Sequence, residues 1–242
     1  MIKILRPLAF FAIIFGLPSL IMVVFNAVFQ VPFSSYYKGL LEFNGYMIAL
    51  YLLGSIPFGM VSAKLFHLGD VRKIGSGNIG ATNVLRSGNK YAALVTLLGD
   101  FLKGFIPLYV LAHTTYYLNP LELYSYSLMP VIGHVFPVWL NFKGGKGIAT
   151  AFGVIVAVDP IMGLLALGIW LIIAFLTRYS SLASLSAITG TALINYLYFR
   201  EKGFWFALIS LALLTIFTHK ENVIRLATGR EAKIGNSTKA KR

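Results

Sequence analysis

The 242-residue chain has no cysteine, only eight carboxylate side chains, and charged residues at just 12% of positions. The missing thiol excludes disulfides, thiolate-bound metal and any enzyme-bound thioester intermediate. Carboxylates this sparse offer little to hold magnesium, so neither a metal nor a cofactor is expected. A water-soluble domain carries charge on about a quarter of its residues, so a soluble reading is disfavoured. Internal repeats and low-complexity linkers are also missing, which favours one helical domain over two.

Hydrocarbon is abundant: 57% of the residues are hydrophobic. About 20 apolar residues in a helix cross a bilayer core of about 30 Å. The chain divides into eight apolar segments: Leu8–Phe29, Tyr46–Phe66, Tyr91–Ala112, Tyr124–Leu140, Ile148–Val158, Ile161–Leu176, Leu182–Phe199 and Phe204–Thr218. Lys3 and Arg6 precede the first as they would in a signal peptide, but the apolar run is long and no convincing cleavage site follows, so an uncleaved helix is expected. Ile148–Val158 is short for a crossing. Fusion with Ile161–Leu176 is opposed by Asp159-Pro160, since proline lacks a donor and biases the preceding residue away from helix. A short helix turning at that point preserves the alternation of sides.

The formal charge of +13 would suggest nucleic acid in a soluble protein. Its distribution points elsewhere. With one crossing per segment, one side receives Lys3, Arg6, Lys64, Arg72, Lys73, Arg86, Lys90, Lys143, Lys146, Arg178, Lys220, Arg225, Arg230, Lys233 and the basic tail, and the other only Lys38, Arg200 and Lys202. Basic loops remain cytoplasmic. No basic residue is interleaved with stacking aromatics as in a nucleic-acid groove, so the partners expected are membrane lipids, with some attraction to anionic headgroups. No oligomeric state is assigned.

Four small polar clusters interrupt the apolar chain, and the same parity places all of them on the cytoplasmic side: Gly75–Asn83, Phe142–Gly147, Arg178–Ser184 and His219–Asn222. In the first, Gly75, Gly77 and Gly80 permit backbone that turns N–H groups toward an anion. Ser76, Asn78, Thr82 and Asn83 add donors, and Arg86 supplies a fork that matches phosphate. The second resembles a nucleotide-binding P-loop only superficially, because Gly147 follows Lys146 and no strand precedes it. What remains is Gly144, Gly145 and Lys146 just ahead of a helix starting at Ile148, where free N–H groups favour an anion; Lys143 reads as a topology residue. In the third, Ser180 and Ser181 read as helix caps, whereas Ser184 lies a turn inside and suits a ligand contact. His219 and Asn222, three apart, are expected on one face of the last helix. Asp100, Lys103 and His134 are read as structural, the first two neutralising each other within a span.

At these residues the sequence resembles the PlsY-type bacterial acyl-phosphate:glycerol-3-phosphate acyltransferase family. The resemblance rests on Gly54-Ser55-Ile56-Pro57-Phe58-Gly59, Gly75 through Arg86, Asp100-Phe101-Leu102-Lys103-Gly104, Gly133-His134 with Phe136-Pro137, and Phe142 through Thr150. Arg178-Tyr179 with Ser181-Leu182-Ala183-Ser184, His219 with Asn222, and Arg225-Leu226 with Gly229-Arg230-Glu231 complete it. It implies an all-α integral membrane protein with a seven-helix acyltransferase core, here preceded by one extra apolar helix. The domains expected are residues 1–43 as an added membrane segment and outside loop, 44–234 as the acyltransferase, and 235–242 as a basic cytoplasmic tail. The resemblance further implies a bacterial inner-membrane enzyme with its site facing the cytoplasm. Its reaction would be the first acylation of phospholipid synthesis, moving a fatty acyl group from acyl phosphate to the sn-1 hydroxyl of glycerol-3-phosphate to give lysophosphatidic acid. Carried over by position, the substrate-gripping residues are Ser76, Arg86, Lys146, Ser184, His219 and Asn222.

An acyl phosphate is a mixed anhydride, so no covalent intermediate is needed. The expectation is that Lys146, Ser184, His219, Asn222 and Ser76 cradle the donor phosphate while Arg86 and its loop hold glycerol-3-phosphate. His219 has no aspartate five residues on, where Ile224 stands, so substrate assistance is preferred over a histidine base. A carrier of organic phosphates predicts repeated halves and polar groups on both faces, and neither is seen. A membrane subunit without chemistry leaves the donor-rich loops unexplained.

Overall fold

Proline and glycine set where the apolar segments start and stop. The structure, a computed structural model, describes residues 33–114, 120–199 and 202–235 together with the isolated Gly16. The expected first segment, Leu8–Phe29, and the tail beyond Gly235 lie outside the described residues. Within them the chain is helical and contains no strand. Helix α1 covers Phe33–Gly54 and α2 Phe58–Leu65; the expected single segment over this stretch is interrupted at Ser55–Pro57, because Pro57 cannot donate to the helix preceding it. A short helix α3, Ala81–Leu85, follows the glycine-rich loop, and α4 spans Lys90–Thr114. Helix α5 covers Pro120–Val135 and so stops earlier than the expected Leu140: Pro137 intervenes, and Val138–Leu140 form a separate 3-10 turn.

Helix α6 (Ile148–Val158) and helix α7 (Pro160–Thr177) are distinct. Between them Asp159 is extended and its carboxylate accepts from the N–H groups of Ile161 and Met162, so it caps α7 while Pro160 fills a first-turn position that needs no donor. Gly163 of α7 lies against Val156 of α6, so the pair folds back as a hairpin. Helix α8 runs over Ser180–Ile194 with a π-type extension to Phe199, α9 over Lys202–Thr218, and α10 over Lys220–Ala227.

Four helical stretches among the described residues are long and apolar enough to cross a bilayer: Leu41–Leu65, Lys90–Thr114, Pro160–Thr177 and Ser180–Phe199. Helices α9 and α10, bent by 64°, form a fifth if taken together. Large apolar side chains such as Leu94, Leu98, Ile106, Leu164, Phe175 and Leu213 stand exposed on these helices, as a surface made for hydrocarbon requires. The architecture is the expected all-α membrane protein.

The described residues divide between Leu50 and Tyr51 into two compact units. Within the second, helices approach closely where side chains are minimal, the packing mode favoured in membranes. A Cβ at Gly104 of α4 would lie 2.4 Å from the Thr150 carbonyl oxygen of α6, and one at Gly153 of α6 would lie 2.1 Å from that of Phe101 on α4. A small apolar cluster of Ala63, Val71, Ile79, Val84, Ala92 and Ala93 underpins the glycine-rich loop.

Candidate active site

Three of the four polar clusters meet at hydrogen-bonding distance. Lys146 leaves a tight turn in which Gly144 N–H donates to the Val135 carbonyl (3.0 Å) and Gly145 N–H to that of His134 (3.1 Å). Gly145 is buried against the His134 ring so closely that a Cβ would lie 2.1 Å from Nε2. Gly147, at φ 80°, is the N-cap residue of α6. The half-buried Lys146 ammonium that results donates to Asn222 Oδ1.

Asn222 passes the connection on. Its Nδ2 donates to Glu231 Oε1 at 2.6 Å, and the same oxygen accepts from Ser181 Oγ at 2.7 Å. Arg225 Nε donates to Glu231 Oε2 at 2.8 Å. A lysine can only donate and a carboxylate can only accept, so the Asn222 amide has one permitted orientation. Arg178 and Ile234 exchange bonds at 2.7 and 3.0 Å, which tie residues 228–235 down beside the start of α8.

His219 is placed differently from expectation. The chain bends at this residue, so His219 is the N-cap of α10, its carbonyl accepting from Val223 N–H at 2.9 Å, and Asn222 is the third residue of that helix. Both are buried, and Thr218 Oγ1 donates to the Lys146 carbonyl at 3.3 Å. His219 Nδ1 lies 2.9 Å from the Thr215 carbonyl oxygen. Since a carbonyl only accepts, Nδ1 carries the proton and, in the neutral ring, Nε2 presents a lone pair.

Charges shape the site. Burial draws the Lys146 ammonium down from 10.5 to about 8, against the upward pull of Glu231, while Arg225 and Arg86 press it further down. Arg86 is the weakest of these influences. Burial alone would raise the Glu231 carboxyl, but hydrogen bonds from Ser181, Arg225 and Asn222 bring it below its ordinary value. Glu231 is thus an anion at neutral pH.

The first loop is partly its own ligand. Asn83 is buried, with Oδ1 accepting from Ser76 N–H (2.9 Å) and Ser76 Oγ (3.2 Å), and Nδ2 donating to the carbonyls of Val71 (2.9 Å) and Asn78 (2.7 Å). It staples the loop, which leaves its amide no spare donor for a substrate. Asn78 Oδ1 accepts from Gly80 N–H at 3.2 Å. Gly75 and Gly77 adopt φ of 53° and 72°, but Gly80 is extended at −77° and caps α3 instead of turning the loop. The Arg86 side chain lies across Gly75, where a Cβ would meet its Cδ at 2.8 Å. Ser76 and Thr82 are exposed.

The third cluster departs from expectation too. Ser184 Oγ donates to the Ser180 carbonyl (2.8 Å) and accepts from Trp170 Nε1 (3.1 Å), so its bonds are made within α7 and α8. Ser181 does not cap; it reaches Glu231. Glu231 itself had no role assigned from sequence, and the only signal for it was its place beside Gly229-Arg230. Asp100 and Lys103 do pair, at 2.8 Å, and His134 Nδ1 lies 3.3 Å from the same carboxylate oxygen.

Residues 45–229 match the sequence profile of the family described as Glycerol-3-phosphate acyltransferase. The chain belongs to that family. The glycerol-3-phosphate acyltransferase of Dechloromonas aromatica (strain RCB) is 47% identical over 194 residues, covering 80% of this chain and 97% of the relative. That of Thioalkalivibrio sulfidiphilus (strain HL-EbGR7) is 47% identical over 195 residues, covering 81% and 95%. The crystal structure of PlsY (YgiH), an integral membrane glycerol 3-phosphate acyltransferase, superposes in its glycerol 3-phosphate form with a TM-score of 0.75 at 42% identity, covering 80% of this chain and 96% of that one. Its lysophosphatidic acid form gives 0.72 at 41%. As a glycerol-3-phosphate acyltransferase of the membrane, the chain acts in phospholipid biosynthesis.

Proposed function

We propose that the protein transfers a fatty acyl group from acyl phosphate to the sn-1 hydroxyl of glycerol-3-phosphate, at the cytoplasmic face of a bacterial inner membrane. Residues 44–234 would form the acyltransferase domain, with 1–43 an added membrane segment and 235–242 a basic tail. The observation that carries this reading is Lys146, whose ammonium is bridged to Glu231 through the Asn222 amide and not neutralised by direct contact. Its remaining N–H groups suit an anionic ligand.

In the proposed reaction the sn-1 oxygen attacks the acyl carbonyl, the new ester C–O bond forms, and the bond from the carbonyl carbon to the phosphate oxygen breaks. Inorganic phosphate leaves and takes the hydroxyl proton on one of its own oxygens, so no enzyme base and no covalent intermediate are required. Lys146, with Asn222 and His219 beside it, would hold the donor phosphate and the charge it gains on departure. Ser76 and Ser184 belong to the same proposed cradle, Ser184 through the turn of α8 that also carries Ser181. Arg86 and the 75–83 loop would hold glycerol-3-phosphate, using Gly75, Gly77, Asn78 and Thr82, while Asn83 keeps the loop in shape. An apolar groove between α8 and α9, lined by Ala192, Leu193, Tyr196, Trp205, Ile209 and Ile216, ends one turn before His219 and would lodge the acyl chain.

The test is purified protein with palmitoyl phosphate and labelled glycerol-3-phosphate, following lysophosphatidic acid without a transmembrane gradient. Product from the acyl phosphate and none from a thioester donor is expected. The reverse preference sinks the proposal. A His219→Ala variant that binds both substrates normally yet does not turn over would replace substrate assistance with a histidine base.

A further inference from the structure

Asp100, Lys103 and His134 take no part in the chemistry above, although all three are buried, at 2%, 6% and 4% exposure. Ionisable groups inside a membrane are costly and call for a reason. Their contacts run in two directions. Lys103 Nζ, paired with Asp100, donates to the Ile56 carbonyl at 2.7 Å. Ile56 lies in the break ahead of α2, and on α2 Gly59 seats the glycine-rich loop: a Cβ there would lie 1.7 Å from the Ile79 carbonyl oxygen. Phe58 reinforces this side, with Lys103 Nζ 5.9 Å from its ring centroid and its ring packed on Gly99 of α4. In the other direction the Asp100 carboxylate lies 3.3 Å from His134 Nδ1, an ion-pair contact without hydrogen-bond geometry, and His134 supports the second loop twice, by its carbonyl to Gly145 N–H and by its ring beneath Gly145. Lys146 is the next residue.

We propose that Asp100, Lys103 and His134 form a buried positioning hub that fixes, from inside the membrane, the spacing between the 75–83 loop and the 143–147 loop. The inference rests on reading both loops as substrate-binding. Reacting atoms must be held about 3–3.5 Å apart, and a 1 Å displacement can cost about a hundredfold in rate. A dry ion pair suits this task, because shifting either partner strands a charge where no water can replace it. Each loop keeps its own local bonds without the hub, so the hub governs how two bound substrates meet and not whether each one binds.

The test uses the full chain in detergent with Asp100→Asn and Lys103→Gln combined, which removes both charges together and strands neither. His134→Gln, which leaves the ion pair intact, is the second variant. For each we expect parental stoichiometry of bound labelled glycerol-3-phosphate, KM values for glycerol-3-phosphate and palmitoyl phosphate within about threefold of the parent, and kcat reduced about tenfold or more. Parental kcat in folded variants overturns the inference, as does a loss confined to KM or to binding stoichiometry. If neither variant folds, the three residues serve folding alone and the inference fails. Lys146→Ala separates the two levels. Full activity there removes the reading of the loops, whereas its loss alongside parental kcat in both hub variants removes only the hub.

Discussion

Lys103 and Lys146 each share their surroundings with a carboxylate and a histidine, and the two sets are wired in opposite ways. Lys103 touches Asp100 directly at 2.8 Å, with His134 on the same oxygen, and the set is sealed between helices. Lys146 reaches Glu231 only through Asn222, and Arg225 contacts that carboxylate at 2.8 Å. Direct contact spends a cation on its partner and yields a rigid joint. An interposed amide keeps the carboxylate near enough to favour the ammonium while leaving N–H groups for a ligand. The same three side-chain chemistries thus give a structural pin in one place and a proposed anion grip in the other.

Removing the grip should have the largest effect. Lys146→Ala takes away the charge that would meet the donor phosphate, and kcat/KM should drop by about 10²–10³ or more, the scale for losing one preorganised donor at a developing charge. Steady-state assays in detergent check this, and a loss below tenfold contradicts the assignment. Converting one wiring into the other comes next. Asn222→Asp, combined with Glu231→Gln so that two carboxylates do not face each other across the 2.6 Å contact, places a carboxylate directly on Lys146, as Asp100 sits on Lys103, and should weaken binding of the donor phosphate by roughly a hundredfold, since like unit charges about 6 Å apart repel by about 3 kcal/mol at an effective dielectric of about 20. A KM for acyl phosphate within threefold of the parent would mean that the interposed amide is irrelevant.

What could be foreseen from the chain divides along the same line. Helix existence follows from apolar runs, and Asp159-Pro160 announced its turn because a short carboxylate before proline is both a cap and a stop. The polar clusters were visible as donors in an oily sequence, but a sequence names donors without saying which way they face. Asn83 turns inward and spends both ends of its amide on its own loop. Ser181 and Ser184 differ by less than one helical turn, and only packing against Trp170 on α7 decides that Ser184 bonds sideways while Ser181 meets Glu231. Glu231 could not be foreseen as a hub because its partners come from α8 and α10, and the bend at His219 that brings α10 across carries no proline or glycine to mark it.

The wiring also predicts a pH limb. Lys146, lowered to about 8, keeps its proton below that pH and gives it up above, so binding of the donor should be complete near neutrality and weaken as pH rises through 8. Well above that value kcat/KM should decline about tenfold per pH unit, as for any single essential protonated group. In the Asn222→Asp, Glu231→Gln double variant the directly apposed carboxylate favours the ammonium, so the limb should move to higher pH even as the plateau falls. A limb that stays in place would separate it from Lys146.

The smallest effect belongs to the neighbour three residues earlier in the same loop. Lys143 has the same side chain as Lys146, but it is exposed and its N–H donates to the Leu140 carbonyl at 3.1 Å as part of the turn. In water its charge is screened within about 8–10 Å at ordinary ionic strength, and truncation to alanine keeps that backbone bond. Lys143→Ala should therefore alter kcat/KM by less than about threefold, with the remainder shrinking further as salt is added, because screened attraction is all that is lost. Equal losses in Lys143→Ala and Lys146→Ala would mean that general positive charge attracts the substrates, and the distinction between a bridged lysine and an ordinary surface one would fall.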